Sequence, residues 1–298
     1  MPEPRQTKDQ RRAAAQEAAR MMRDKQKRKE RRNRIFLIGG STVTIVAIFL
    51  VVALVIVNAN KPIGPGPANM ASDGIVLTGG DSGVTALTSD PIKAGGDPIP
   101  TDTTKLDGQL HIVTYVDYRC PFCNEFEQAN AATIQQLVDG KIATLEIHPI
   151  SILDRSSLGT KYSTRAASAA GCVATYAPDS FLTVNTALFT AQPPENTAGL
   201  TNDEIVAVVN GAGVTDKKVA SCIKDETYTA WVTEATNRAL ADPALQDANG
   251  NFGTPRVVVN GVLYSGAPGD ATAFETFLTQ AAIAGNGATP TPTPSPTP

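Results

Sequence analysis

Residues 110–123 of the chain read LHIVTYVDYRCPFC, and this stretch decides the fold. Its first half, Leu110–Val116, is a nearly continuous run of β-branched and other apolar residues, which favours a strand. Its second half ends in Cys120-Pro121-Phe122-Cys123, and proline is favoured in the first turn of a helix. Apolar residues then recur at helical spacing as far as Leu137, and Gly140 is typical of a helix end. The stretch therefore predicts a strand, a cysteine pair and a helix in immediate succession.

The position of Cys120 and Cys123 predicts a reactive dithiol. The thiolate is the reactive form of cysteine, and a free thiol titrates near about pH 8.5. Unpaired N–H groups and the dipole of the first helical turn stabilise negative charge on Cys120, and Cys123 lies one turn further along. Other interpretations stay open here: a structural disulfide, half a zinc site, or an unreactive pair. We expect no metal, because His111 and His148 fall in predicted strands and the other cysteines are distant.

The second cysteine pair, Cys172 and Cys222, lies in a region that is predicted to be mostly helical. Two remaining cysteines in an exported domain are expected to pair. In the chain-entropy model, closing a loop of about fifty residues stabilises the fold by roughly 4 kcal/mol. The alternative is a relay dithiol that exchanges electrons with the first pair.

The N-terminal region predicts a membrane anchor. Residues 1–34 carry 13 of the 26 basic and 5 of the 29 acidic residues, so the rest of the chain has a net charge of −11, which argues against nucleic acid as a partner. Residues 35–57 are uncharged and long enough for a helix that crosses a lipid bilayer. The positive-inside rule then predicts a single-pass protein of the cell membrane, with residues 1–34 in the cytoplasm and the remainder extracytoplasmic. The alternative is a cleaved signal peptide.

The exported part is expected to hold one folded unit. Residues 58–72 are rich in glycine and proline and predict a linker. Residues 285–298 end in alternating threonine and proline and predict a disordered tail. Between them, residues 73–284 predict a strand, a helix, a strand, a helical block over about 155–247, a hairpin that turns at Asn260-Gly261, and a final helix.

This pattern resembles the DsbA-like branch of the thioredoxin-fold oxidoreductases. The likeness rests on the Cys120–Cys123 motif, on Phe126 and Glu127 downstream, and on Gly253-Thr254-Pro255 before a valine-rich strand. More narrowly, it is similar to the membrane-anchored versions in bacteria that lack a true periplasm. The resemblance implies an α/β thioredoxin-like fold with a helical insertion. It also implies a cis peptide bond between Thr254 and Pro255, in a loop that lies against the cysteines and exposes backbone groups to a substrate strand.

The chain departs from that pattern at two positions. DsbA carries a histidine after the proline, where this chain has Phe122, and phenylalanine cannot stabilise a thiolate in the same way. Thr114 stands where thioredoxins carry a buried acid, so another carboxylate would have to handle the proton: Asp117, Glu125 or Glu127. Arg119 is expected to point into solvent, as arginines at strand ends usually do.

The predicted function is an extracytoplasmic thiol-disulfide oxidoreductase that oxidises cysteines of exported proteins and needs no cofactor. A substrate thiolate attacks Cys120 and expels Cys123, and a second substrate thiol then releases Cys120. The resemblance implies that a quinone-linked membrane oxidase reoxidises the dithiol. Two alternatives remain: a reductase or isomerase of the same fold, and a non-enzymatic envelope module for binding or metal delivery.

Overall fold

The computed structural model describes residues 17, 20–30, 64–81 and 83–285. Residues 20–30 are helical and exposed, and they belong to a unit, Met1–Lys61, that is distinct from the folded body in Pro62–Pro298. Among the described residues, no helix has both the length and the apolar character needed to cross a bilayer. The predicted transmembrane segment, residues 35–57, lies outside the described residues, as do residues 286–298 of the predicted tail.

In the described part of the folded body, six strands form one mixed sheet in the order β2-β1-β4-β3-β5-β6. The strands are β1 (Ile75–Gly80), β2 (Gly83–Ala86), β3 (Leu110–Val116), β4 (Ala143–Pro149), β5 (Arg256–Val259) and β6 (Val262–Leu263). Strands β3 and β4 pair in parallel, and the other neighbours pair antiparallel. The parallel pair needs a crossover, which helix α1 (Pro121–Asp139) provides.

Helix α1 fixes the cysteines to the sheet. Its apolar stripe, which includes Phe126, Ile134 and Val138, is buried, and the helix packs on β1 and β4. Burying a side chain of this size stabilises a fold by about 1.5–3 kcal/mol. Strand β3 alternates buried and half-buried positions, as expected for a strand whose two faces meet different surroundings. The C-terminal helix α7 (Ala271–Gly285) lies beside α1, where Phe274 meets Phe126 edge to face.

A helical insertion separates β4 from β5. Its helices are α2 (Tyr162–Tyr176), α3 (Phe181–Thr190), α4 (Asn202–Gly211), α5 (Lys217–Lys224) and α6 (Thr229–Ala241). Helix α2 is rich in alanine and buried on nearly all sides, so it forms the centre of this block. Cys172 in α2 and Cys222 in α5 form a disulfide bond, which joins two helices across 50 positions of sequence. The mixed α/β thioredoxin-like fold is thus the architecture of the body.

The folded body begins earlier than residue 73, so the predicted linker boundary needs correction. The Gly66 N–H donates to the Ile92 carbonyl at 2.8 Å, and the Asn69 side chain donates to the Ala174 carbonyl at 2.9 Å. Met70 is fully buried. Glycine and proline made residues 66–72 resemble a linker, but their packing partners come from residues distant in sequence, which composition does not reveal.

The hairpin between β5 and β6 turns at Asn260 and Gly261, whose φ angles are 49° and 80°. Two successive left-handed residues favour the tight turn that matches the strand twist, and Asn-Gly tolerates them best. Since β5 pairs with β3 through Tyr115 and Arg256, the residues just before β5 are delivered to the end of β3, where the cysteines begin.

Candidate active site

The two cysteines lie at the start of α1. Cys120 immediately precedes the helix; its N–H donates to the Asp117 carbonyl at 2.9 Å, and its carbonyl accepts from the Asn124 N–H at 3.2 Å. Both cysteines are free, and their residues are only 4% (Cys120) and 2% (Cys123) exposed. No side chain caps the helix, so the N–H groups of its first turn are available to the Cys120 sulfur.

The loop before β5 completes the site from the other side. The peptide bond between Thr254 and Pro255 is cis. The Cys120 thiol donates to the Thr254 carbonyl oxygen at 3.2 Å. The pairing of β5 with β3 places this loop, although it lies more than a hundred residues further along the chain, against the sulfur.

The surroundings give the two sulfurs different acidities. A hydrogen bond from the Cys123 thiol lowers the pKa of Cys120 to about 7, against the effect of burial. The N–H groups of Cys123 and Phe122 act in the same direction. Burial and the hydrogen bond to Cys120 raise the pKa of Cys123 well above its usual value. Cys120 is therefore the sulfur that carries negative charge, while Cys123 keeps its proton.

Of the three candidate carboxylates, Asp117 lies inside the protein and Glu127 is half-buried. Asp117 is fully buried and accepts from the N–H groups of Arg119, Ile152 and Leu153 at 2.8–2.9 Å, which ties the cysteine turn to the loop after β4. Burial raises its pKa. Glu127 accepts from Thr186 at 2.8 Å and from Asn185 at 3.2 Å, and burial raises its pKa too. Glu125, the third, is exposed.

A family model described as Thioredoxin matches residues 105–279. The chain belongs to the thioredoxin family. In this family context, a cysteine pair at a helix start, with one thiol of lowered pKa and a cis-proline loop against it, makes the protein a thiol:disulfide oxidoreductase.

Solved structures of similar fold cover most of the chain. Reduced DsbA from Mycobacterium tuberculosis is 25% identical, with a TM-score of 0.49, over 72% of this chain and 98% of that one. BdbD from Bacillus subtilis is 17% identical, with a TM-score of 0.51, over 75% of this chain and 99% of that one. MdbA from Corynebacterium diphtheriae is 17% identical, with a TM-score of 0.51, over 74% and 95%. The last two support the fold. No curated protein matches the chain.

Arg119 of this thioredoxin-family chain does not point into solvent, contrary to the sequence-based expectation. It is fully buried. Its Nη2 donates to the carbonyls of Ser156 at 2.8 Å and Pro194 at 3.0 Å and to Thr197, and its guanidinium lies 5.4 Å from the centroid of the Tyr162 ring. These acceptors lie 37 to 78 positions further along the chain, so no local sequence pattern predicts them.

Sequence reasoning also missed Gln192 and the groove beside the cysteines. The Gln192 side chain donates to the carbonyls of Tyr118 at 3.1 Å and Cys120 at 3.0 Å. Phe122, which follows Pro121, is 57% exposed. An open groove of about 580 Å³ lies alongside, and it is lined by Pro121, Asn124, Glu125, Gln128, Ala129, Gln192 and Gly269.

A second cavity, of about 300 Å³, contains a polar cluster around Glu146. The Glu146 carboxylate lies 3.0 Å from Nε2 of both His111 and His148, and it accepts from Ser72 at 2.5 Å. Burial opposes its ionisation, but these hydrogen bonds together hold the pKa of Glu146 well below its usual range. In the described residues, no group of three or more His, Cys, Asp or Glu is placed to hold a metal ion.

Proposed function

We propose that the protein oxidises cysteine pairs of exported proteins on the outer side of a membrane to which residues 35–57 anchor it. The lowered pKa of Cys120 carries the exchange chemistry, and the Cys172–Cys222 disulfide favours the oxidising direction. A stabilised thiolate favours the reduced enzyme, so the disulfide form tends to pass its bond to a substrate. The Cys172–Cys222 disulfide supports an oxidising compartment, because structural disulfides are rare in the cytosol.

The catalytic residues in this proposal are Cys120 and Cys123. In the oxidised enzyme, a substrate thiolate attacks the Cys120 sulfur, the Cys120–Cys123 bond breaks, and Cys123 leaves as a thiolate that takes up a proton. A second substrate thiolate attacks the substrate sulfur of the mixed disulfide, and Cys120 leaves as a thiolate. The substrate loses two electrons and the enzyme gains them. The raised pKa of Cys123 favours its reprotonation, and the lowered pKa of Cys120 favours its departure.

The substrate is proposed to bind across the start of α1. Thr254 and Pro255 offer backbone groups beside the Cys120 sulfur, and the exposed Phe122 ring offers an apolar contact on the other side. An extended cysteine-containing segment fits this arrangement, because hydrogen bonds to the substrate backbone do not depend on the substrate's side chains. Such a site suits an enzyme that acts on many exported proteins.

The reduced enzyme is proposed to be reoxidised by a quinone-linked membrane oxidase. Its reduced dithiol must lose two electrons after each turnover, so the proposed cycle requires an electron acceptor other than the Cys120–Cys123 pair. An anchor in residues 35–57 would keep the dithiol near a membrane partner and raise its effective concentration there.

A reductase or isomerase of the same fold is the second candidate, and one observation favours it. The pKa of Cys120 is about 7, which is the value typical of thioredoxin, whereas strongly oxidising relatives reach about 3.5. Phe122 accounts for the difference in part, because it cannot donate a hydrogen bond to the thiolate as a histidine can.

The decisive experiment combines oxidative refolding with a redox equilibrium. The purified full-length protein in its disulfide form is mixed with a reduced, unfolded test protein that contains two cysteines, and its equilibrium with glutathione is measured. An oxidase forms the test disulfide stoichiometrically, and its potential lies well above the roughly −270 mV of thioredoxin. A potential near that value, with no refolding, would assign the reductase role. Cys120→Ser is the inactive control.

The location is tested separately. Protease added to intact cells is expected to cleave within the predicted tail, residues 285–298, while a tag before residue 34 stays protected. Protection of both ends would contradict the extracytoplasmic placement.

A further inference from the structure

Arg119 is a fully buried cation. Among the described residues, no carboxylate forms an ion pair with it; main-chain carbonyls of Ser156, Pro194 and Thr197 accept from its Nη2 instead. Removing a charge from water carries a large free-energy cost, which good hydrogen bonds only offset. A neutral side chain of similar size could fill the same space without that cost. A charge at this position, one residue before Cys120, therefore suggests a role beyond packing.

The insertion loop that accepts hydrogen bonds from the Arg119 side chain also donates hydrogen bonds to the main chain on both sides of Arg119. The amide of Gln192, two residues before Pro194, donates to the carbonyls of Tyr118 and Cys120 at 3.1 Å and 3.0 Å. The Arg119 N–H itself donates to Asp117 Oδ1 at 2.9 Å. The peptide groups that lead into α1 are thus fixed by side chains, and two of these three contacts come from the helical insertion.

Space for the guanidinium is provided by Gly199. This residue has a φ of 73°, and a Cβ atom there would lie 2.8 Å from Arg119 Nη1 and 2.5 Å from the Tyr162 ring. The insertion loop can therefore close around Arg119 only because a glycine stands at this position. Gly199 thus leaves the space that the Arg119 guanidinium occupies, which is expected if this contact contributes to the active site.

The contacts that stabilise negative charge on Cys120 are short-ranged. They are the thiol of Cys123 and the N–H groups of Cys123 and Phe122. Hydrogen bonds weaken steeply with distance and angle, so a small movement of the turn before α1 would reduce several of them together.

We propose that Arg119 and Gln192 are positioning residues through which the helical insertion holds the turn before α1 in the geometry that stabilises the Cys120 thiolate. In this arrangement, the insertion sets how good a leaving group Cys120 is. The proposal depends on thiol–disulfide exchange by Cys120 and not on the oxidase direction, so the two can fail independently.

The test compares four variants of the full-length protein. Arg119→Met removes the charge and the hydrogen bonds, Arg119→Lys keeps the charge but loses the planar fork, and Gln192→Ala removes the amide clamp. Arg165→Met is the matched control, because Arg165 also lies over the Tyr162 ring, at 5.8 Å, but bonds to Thr160 and Asn202. Two quantities are measured: the pH midpoint of Cys120 alkylation in the reduced protein, and the equilibrium constant for reduction of the disulfide by glutathione.

Arg119→Met is expected to raise the alkylation midpoint by about one pH unit and to lower the equilibrium constant about tenfold. Arg119→Lys is expected to fall between Arg119→Met and the unmodified protein. Gln192→Ala is expected to change the equilibrium constant by about threefold, since it removes uncharged hydrogen bonds. Arg165→Met is expected to keep the values of the unmodified protein.

A folded Arg119→Met protein with an unchanged midpoint and an unchanged equilibrium constant would overturn the proposal, because Arg119 would then only stabilise the fold. If Arg119→Met does not fold, Gln192→Ala decides, since Gln192 is half-buried and its loss is tolerable. Unchanged values in Gln192→Ala would then overturn the proposal. An equal shift in Arg165→Met would overturn it as well, by assigning the effect to the surroundings of Tyr162.

Discussion

The two cysteine pairs consist of the same side chains but differ in redox state. Cys120 and Cys123 are neighbours at the start of α1 and are free, whereas Cys172 and Cys222 are 50 positions apart and form a disulfide between α2 and α5. Exposure does not distinguish them, because all four residues are at most 5% exposed. Their polar surroundings distinguish the two pairs. The first pair meets the N–H groups of a helix start and the Thr254 loop, while α2 around Cys172 consists mostly of alanine, glycine and valine.

The difference indicates that hydrogen-bond donors, rather than access to solvent, decide which cysteines react. Donors that favour the thiolate make the open dithiol of the first pair a stable state. For the second pair, the disulfide is the favoured state. Breaking it would leave two thiols between packed helices and would remove the constraint on a long loop in the unfolded chain.

Replacing Cys120 by serine is expected to reduce thiol–disulfide exchange to the uncatalysed rate, because the pKa of Cys123 is raised and Cys172 and Cys222 are bonded to each other. Initial rates of insulin reduction or of test-protein oxidation measure this. Substantial activity in Cys120→Ser would show that the second pair also reacts.

Replacing Cys172 and Cys222 together by alanine is expected to lower the free energy of unfolding by about 2–5 kcal/mol, since the loop they close is long. Urea unfolding measures the loss. Activity per folded molecule should stay within about twofold of the unmodified protein at low urea, as expected for distant, independent sites. A selective loss of activity, with stability unchanged, would favour the relay dithiol.

The reduced protein is expected to gain stability as the pH rises from about 7 to about 9. The folded-state pKa of Cys120 is about 7, below its ordinary value of 9.0. A depressed pKa contributes stability that is present above the unfolded-state pKa and is lost as the pH falls through the folded-state pKa. The gain should be roughly 2 kcal/mol by urea unfolding, and Cys120→Ser should lack it. An equal pH dependence in both proteins would count against a stabilised thiolate.

Phe122→His is expected to make the first pair more oxidising by about tenfold in its equilibrium with glutathione, if the imidazole lowers the pKa of Cys120 by about one unit. The ring at this position is exposed, so the replacement should not disturb packing. The Cys172–Cys222 bond should be unaffected, and Phe122→Leu is the control. No shift in Phe122→His would mean that this position does not tune the sulfur.

Local sequence patterns were enough to predict the elements that carry the cysteines. The run Leu110–Val116, proline after the first cysteine, and the Asn260-Gly261 turn each have a local physical cause, and the corresponding strand, helix and hairpin are present. The thioredoxin-like fold was implied by the resemblance of this order, with the cysteine motif and Gly253-Thr254-Pro255, to the DsbA-like branch. The membrane anchor in residues 35–57 stays a prediction.

The parts that could not be predicted depend on contacts between distant residues. Arg119 is buried because carbonyls of two later loops accept its hydrogen bonds, and no local sequence pattern predicts such acceptors. Glu146 meets His111 only because β3 and β4 pair in one particular register. Sequence periodicity indicates that a strand exists, but it does not indicate which strand lies beside it.

The most direct test of the central claim is to locate the reactive sulfur. The reduced full-length protein is treated with a limiting amount of iodoacetamide near neutral pH, and the label is mapped by mass spectrometry. Cys120 is expected to carry nearly all of the label, with Cys123 unlabelled and Cys172 and Cys222 still bonded to each other. Equal labelling of Cys120 and Cys123, or any label on the second pair, would contradict it.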